Sequence, residues 1–84
     1  MVVDYILLDT MKKVYDFVRI AERCTLRILV KQSDYVVDAK SVLGICSLDL
    51  SERLIMEIPN YTKNDLDDFA KLLEELKSAN IVQF

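Results

Sequence analysis

The chain has 84 residues, 52% of them hydrophobic and 30% charged, with one Gly, one Pro and no histidine. That apolar fraction and the lack of low-complexity runs exclude a disordered chain, and the longest uncharged stretch, the eight residues Ser41 to Leu48, is too short to span a membrane. A net charge of −3 argues against general nucleic-acid affinity, and the missing histidine removes the commonest general base, the commonest metal ligand and the phosphohistidine carriers together.

In chain order, Val2–Leu8 is too short for a helix and reads as a strand with Val3, Tyr5 and Leu7 on one face. Its Asp4 and the absence of a cationic flank argue against a secretory signal. Asp9-Thr10 supplies an N-cap pair, and Met11, Val14, Val18 and Ala21 recur at helical spacing beside Phe17 and Cys24. The spacing predicts a first helix from Met11 to Arg23. Thr25–Lys31 alternates as a strand, Gln32-Ser33-Asp34 is a tight turn, and Tyr35–Asp38 returns as a second strand.

Ser41 caps a short helix over Val42–Leu48, and Leu54, Met56 and Ile58 mark a further strand with Ile55 on its other face, ended by Pro59. The last helix has the clearest start. Thr62 is its N-cap, Asp65 completes a Thr-x-x-Asp capping box, and Tyr61 is placed to staple to Leu66. Its core stripe is expected at Leu66, Phe69, Ala70, Leu73 and Leu76, with Asn80-Ile81 as a left-handed stop. The order β-α-β-β-α-β-α predicts an α+β fold in which one sheet is covered on one face by helices, a single domain over residues 1–84 with no linker or internal repeat.

Two cysteines, Cys24 and Cys46, without a CxxC motif, read as reduced, packed thiols of a cytoplasmic protein. The charge is polarised. Residues 1–40 carry seven basic against six acidic residues, and residues 41–84 carry four against eight.

The segment Asp38-Ala-Lys-Ser-Val-Leu-Gly-Ile-Cys-Ser-Leu48 resembles the Lys-Ser-[Ile/Val]-[Met/Leu]-Gly-x-[Met/Leu]-Ser-Leu segment of HPr, the small phosphocarrier of the bacterial sugar phosphotransferase system. Ser41, Gly44, Ser47 and Leu48 fall on its more distinctive positions, and an ungapped register carries the resemblance back through the hairpin and the first helix. The resemblance implies an HPr-like open-faced β-sandwich: a four-stranded antiparallel sheet in the order first-fourth-second-third with three helices on one face. It also implies that Ser41 stands where a dedicated kinase phosphorylates HPr of Gram-positive bacteria. Arg19 takes a place that meets acidic partners, and Val42, Leu43 and Cys46 form a face that docks partner proteins.

One departure governs the functional reading. Where the family has Gly-[Ile/Leu]-His-Ala-Arg-Pro-Ala, this chain has Leu8-Asp9-Thr10-Met11-Lys12-Lys13-Val14, so Thr10 holds the histidine place and Lys12 the arginine place. A phosphothreonine ester passes its phosphoryl group on far less readily than a phosphohistidine, and Asp9 repels an incoming phosphate. The plainer reading of Thr10 and Ser41 is helix capping, and that of Lys12, Arg19 and Arg23 is a solvated helix face paired with Asp16 and Glu22. Asp65, Asp67 and Asp68 read as helix-start carboxylates and not a metal site, and Cys46 lacks a histidine to activate it.

The sequence thus points to a non-catalytic interaction or regulatory module, open to control by Ser41 phosphorylation. It would act on a protein partner (a kinase, a regulator or a transport component), with no cofactor, no metal, no nucleic acid and no membrane insertion. The alternatives are an atypical phosphocarrier or phosphoprotein using Thr10 or Ser41, and a relative in fold only with an unrelated partner.

Overall fold

The first helix forms where its apolar spacing and its cap agree. In the computed structural model, which describes residues 2–82, α1 spans Met11–Arg23, and Thr10 Oγ1 accepts a hydrogen bond from Lys13 N at 3.2 Å. Val14, Phe17, Val18, Ile20 and Ala21 are buried, whereas Met11, expected in the core, is exposed because it opens the helix at its outer edge.

The strands are β1 (Val2–Ile6), β2 (Leu29–Gln32), β3 (Tyr35–Asp38) and β4 (Leu54–Ile58); the other helices are α2 (Val42–Cys46) and α3 (Leu66–Ser78). The sheet order is β1-β4-β2-β3 and every neighbouring pair is antiparallel, so β4 enters between the parallel strands β1 and β2. Two crossovers, through α1 and α2, place helices on one face of an open sheet, as the HPr-like arrangement implies.

Register decides which side of each strand is covered. Ile6 and Leu8 of the first segment, Ile28 and Val30 of the second, and Leu54, Met56 and Ile58 of β4 are buried against Phe17, Ile45, Leu72 and Leu76. Each such side chain contributes roughly 1.5–3 kcal/mol by leaving water. Val3 and Tyr5 share a face as expected, but it is the outer one.

Three boundaries shift for local reasons. The second strand pairs only from Leu29: Leu26 is buried outside the ladder, and the Thr25 hydroxyl donates to Asp68 at 3.1 Å. The two-residue turn Ser33-Asp34 puts Ser33 at φ 52°, the first-position conformation of a type II′ hairpin. The short helix stops at Cys46, and Ser47 N and Leu48 N close onto the carbonyls of Gly44 and Ile45 in a tighter turn.

The last helix departs most from expectation. A 3₁₀ turn, Lys63–Asp65, precedes it, and Asp65 Oδ2 accepts from Thr62 N at 2.8 Å and from the Thr62 hydroxyl at 3.1 Å. Its buried residues are Leu72 and Leu76, with Phe69 packed against the core; Leu66 is 60% exposed and Ala70 is also outside. The stripe is therefore Phe69, Leu72 and Leu76, and Leu73, expected in the core, is only partly covered at its edge. Tyr61 packs edge-on against Phe69, 5.4 Å between ring centres, and not against Leu66. The stop is as read from the sequence. Asn80 has φ 58°, Asn80 N bonds Lys77 O, and Ile81 N bonds Leu76 O, a Schellman closure. Ile81 O then accepts from Leu7 N at 2.9 Å, which ties the turn after α3 beside β1.

Candidate functional site

The site is built by α1 and α2, which pack against each other in the helical layer. At the start of α1, the Thr10 hydroxyl is committed to the cap, and Asp9 Oδ1 lies 3.0 Å from Lys13 Nζ. The helix mouth thus holds a carboxylate of its own, paired within the chain, where an incoming anion would otherwise be favoured. Lys12 Nζ donates to Asp16 Oδ2 at 2.8 Å, and Arg19 approaches the same carboxylate at 3.9 Å. The hydrogen bond from Lys12 holds the Asp16 carboxyl below the usual carboxylate range, with the charges of Lys12 and Arg19 adding to it. Lys12 and Arg19 remain exposed.

The α2 turn is set by Ser41 and Gly44. Ser41 Oγ accepts from Gly44 N at 3.0 Å, and Ser41 is half-buried. A Cβ on Gly44 would lie 3.1 Å from Ser41 Oγ and 3.2 Å from Val37 Cβ, so glycine allows α2 to sit close against β3. Ile45 is fully buried and anchors the turn, and Val42 packs in part against the core. This corrects the expectation that Val42 belongs to the outer face: in one turn of helix, Val42 and Ile45 share the inward side at i, i+3 spacing. Leu43 and Cys46 do face outward, and Leu43 is 86% exposed; of the two thiols expected to be packed, only Cys24 lies against the core.

Two contributions lie outside the site residues expected from the sequence. Met11 and Tyr15 are both exposed on α1 and, with Arg19, follow one another at i, i+4 and i+8. Tyr15 was legible as an apolar residue off the core stripe. The Gln32 side chain brackets Asp49: its Nε2 donates to Asp49 O and its Oε1 accepts from Asp49 N, each at 2.8 Å. This contact spans 17 residues and has no local sequence signal.

The acidic residues at the start of α3 are engaged singly, Asp65 with Thr62 and Asp68 with Thr25. Among the described residues, no helix is long and apolar enough to cross a membrane.

No protein-family model matches the sequence, and no curated protein matches it closely enough to count as a relative. Its shape, however, is similar to that of a solved protein. The crystal structure of HPr-C-His from Thermoanaerobacter tengcongensis superposes with a TM-score of 0.70, over 94% of this chain and 94% of that one, at 21% sequence identity. The fold is HPr-like.

Proposed function

We propose that this chain is a non-catalytic member of the HPr family that works as a protein-interaction or regulatory module in the cytoplasm, docking a protein partner through the outer faces of α1 and α2. The observation that carries the reading is Leu43, 86% exposed on a helix whose other apolar residues, Val42 and Ile45, turn inward. Leu43 and Cys46 are exposed on α2, and Met11, Tyr15 and Arg19 are exposed on α1, which packs against it; together they supply apolar residues and a cation for the docking contact. Arg19 is the residue that would meet an acidic group on the partner.

Ser41 is the proposed control point. A phosphate on its Oγ would stand beside exposed Lys40 and two residues from Leu43, adding about two negative charges next to the apolar contact. The phosphocarrier reading has less support. Thr10 is a cap, the neighbouring Asp9 carboxylate opposes an anion, and the chain has no histidine.

The test uses the intact chain. Incubated with enzyme I and phosphoenolpyruvate, it should stay unlabelled; an acid-labile phosphoprotein would overturn the non-catalytic reading. Leu43→Asp should abolish retention of the cognate partner while leaving the thermal melt unchanged, because an unpaired charge then faces the contact that must lose water. Retention that survives Leu43→Asp moves the docking surface elsewhere.

A further inference from the structure

An open sheet has two edges, and the unpaired backbone groups along an edge are a template for another strand. At β3 the chain limits its own edge. Ala39 N bonds Ile28 O, so the neighbouring Asp38 carbonyl points away from β2, and Ser41 N closes onto it at 3.0 Å. Lys40 N also bonds Asp38 Oδ1 at 2.8 Å, so the turn into α2 stands against that end of the strand.

At β1 the closure is of another kind. Leu7 N bonds Ile81 O at 2.9 Å, which covers the edge at that level and means that odd-numbered residues turn their backbone groups away from β4. The free length is therefore Val2–Ile6, and its outward groups belong to Val3 and Tyr5. One of these is occupied from within the strand: Tyr5 N donates to Asp4 Oδ1 at 2.9 Å.

We propose that β1 is a latent strand-pairing surface for a second copy of this chain, and that Asp4 holds it shut. When this edge pairs antiparallel with its own copy, about a two-fold axis normal to the sheet, one register uses both Val3 and Tyr5. It sets Val3 opposite Tyr5 of the second copy and Asp4, at the strand's centre, opposite its own counterpart. A shift one way calls on Leu7, already taken by Ile81, and a shift the other way leaves Tyr5 opposite no residue of the strand. In the matching register the two Asp4 residues form a non-hydrogen-bonded pair, where Cα atoms approach to about 4.5 Å and like charges oppose pairing. Asp4 thus blocks twice. It occupies the Tyr5 N–H that the second copy's Val3 carbonyl would need, and it faces its own charge.

The residues around Asp4 favour the pairing that it prevents. Val3 and Tyr5 are 52% and 51% exposed, and the matching register lays one beside the other on the outer face. Such a dimer uses up the β1 edge of both copies and leaves only the β3 edges, which the turn into α2 limits, so association stops at two. β1 lies across the sheet from β3, against which α2 packs, so the proposal stands independently of docking through Leu43.

Sedimentation equilibrium of the intact chain, up to about millimolar concentration, tests this. The native chain should sediment as a monomer. Asp4→Val should give a monomer–dimer equilibrium, at least about tenfold tighter than any self-association of the native chain, without lowering the melting temperature. Asp4→Thr, also uncharged and β-branched, should do the same. Val3→Pro added to either variant removes an outward N–H without touching the ladder to β4, and should restore the monomer. The proposal is overturned by a native dimer that Val3→Pro abolishes, by folded Asp4 variants that stay monomeric or grow into larger aggregates, or by a dimer that survives Val3→Pro.

Discussion

Helices α1 and α3 are each 13 residues long and each amphipathic, yet they are held in place by different means. Five residues of α1 are buried, and it packs against both α2 and α3. Only Leu72 and Leu76 of α3 are buried, and its security comes from its ends: Asp65 on Thr62, Tyr61 on Phe69, and the closure at Asn80. Side contacts to the preceding segment add to this, from Arg23 to Glu75 at 3.1 Å and from Thr25 to Asp68. Equal length and similar patterning therefore do not give equal burial. A helix flanked by two others spends its apolar arc on the core, and a helix at the margin depends on its caps.

The comparison is most exposed at the core. Phe17→Ala in α1 should cost about 3–5 kcal/mol, and Leu72→Ala in α3 about 2–5 kcal/mol, whereas Leu66→Ala should stay within about 0.5 kcal/mol. Urea unfolding at constant m measures all three, and a larger loss at Leu66 than at Leu72 would restore the stripe expected from the sequence.

Caps come next. Asp65→Ala and Thr10→Ala should each cost about 1 kcal/mol. The Asp65 loss should be the larger, since its carboxylate accepts two hydrogen bonds, at 2.8 and 3.1 Å, and Thr10 accepts one at 3.2 Å. The reverse order would make α1 the helix more dependent on its start.

The smallest effect is electrostatic and belongs to α1. Because Lys12 depresses the Asp16 carboxyl in the folded chain, this pair supports folding above the ordinary carboxylate value and loses that support as pH falls through the folded value. Lys12→Gln should raise the Asp16 titration midpoint, followed by carboxyl NMR, and should barely alter the melt at neutral pH, as expected of an exposed pair. An unmoved midpoint would show that the hydrogen bond does not persist in solution.

What the sequence could reveal depended on how local each decision was. The bounds of α1 and the caps at Thr10 and Ser41 follow from neighbouring residues, and they stand as read. The sheet order came through the resemblance to HPr and not through periodicity, because strand pairing joins distant segments. In α3, residues 66, 69, 70, 73 and 76 and residues 69, 72 and 76 are both sound helical stripes. Tyr61 and the preceding 3₁₀ turn choose between them, and that choice is tertiary. In β1 each face carries apolar residues, and Asp4 shares the side of Ile6, so alternation alone could not say that Ile6 and not Tyr5 turned inward. At the candidate site, outward Leu43 and Cys46 were legible from a helix too short to bury every side, whereas Val42 needed the position of β3 and the core to be placed.

The bracket between Gln32 and Asp49 has a kinetic consequence. The Asp49 amide sits in a loop, where exchange with solvent is ordinarily quick, yet it donates into the Gln32 carboxamide at the end of the hairpin. Its proton can leave once the Gln32 carboxamide lets go of the segment after α2. That amide therefore reports whether the loop after α2 is held to the end of the hairpin, a contact between segments 17 residues apart.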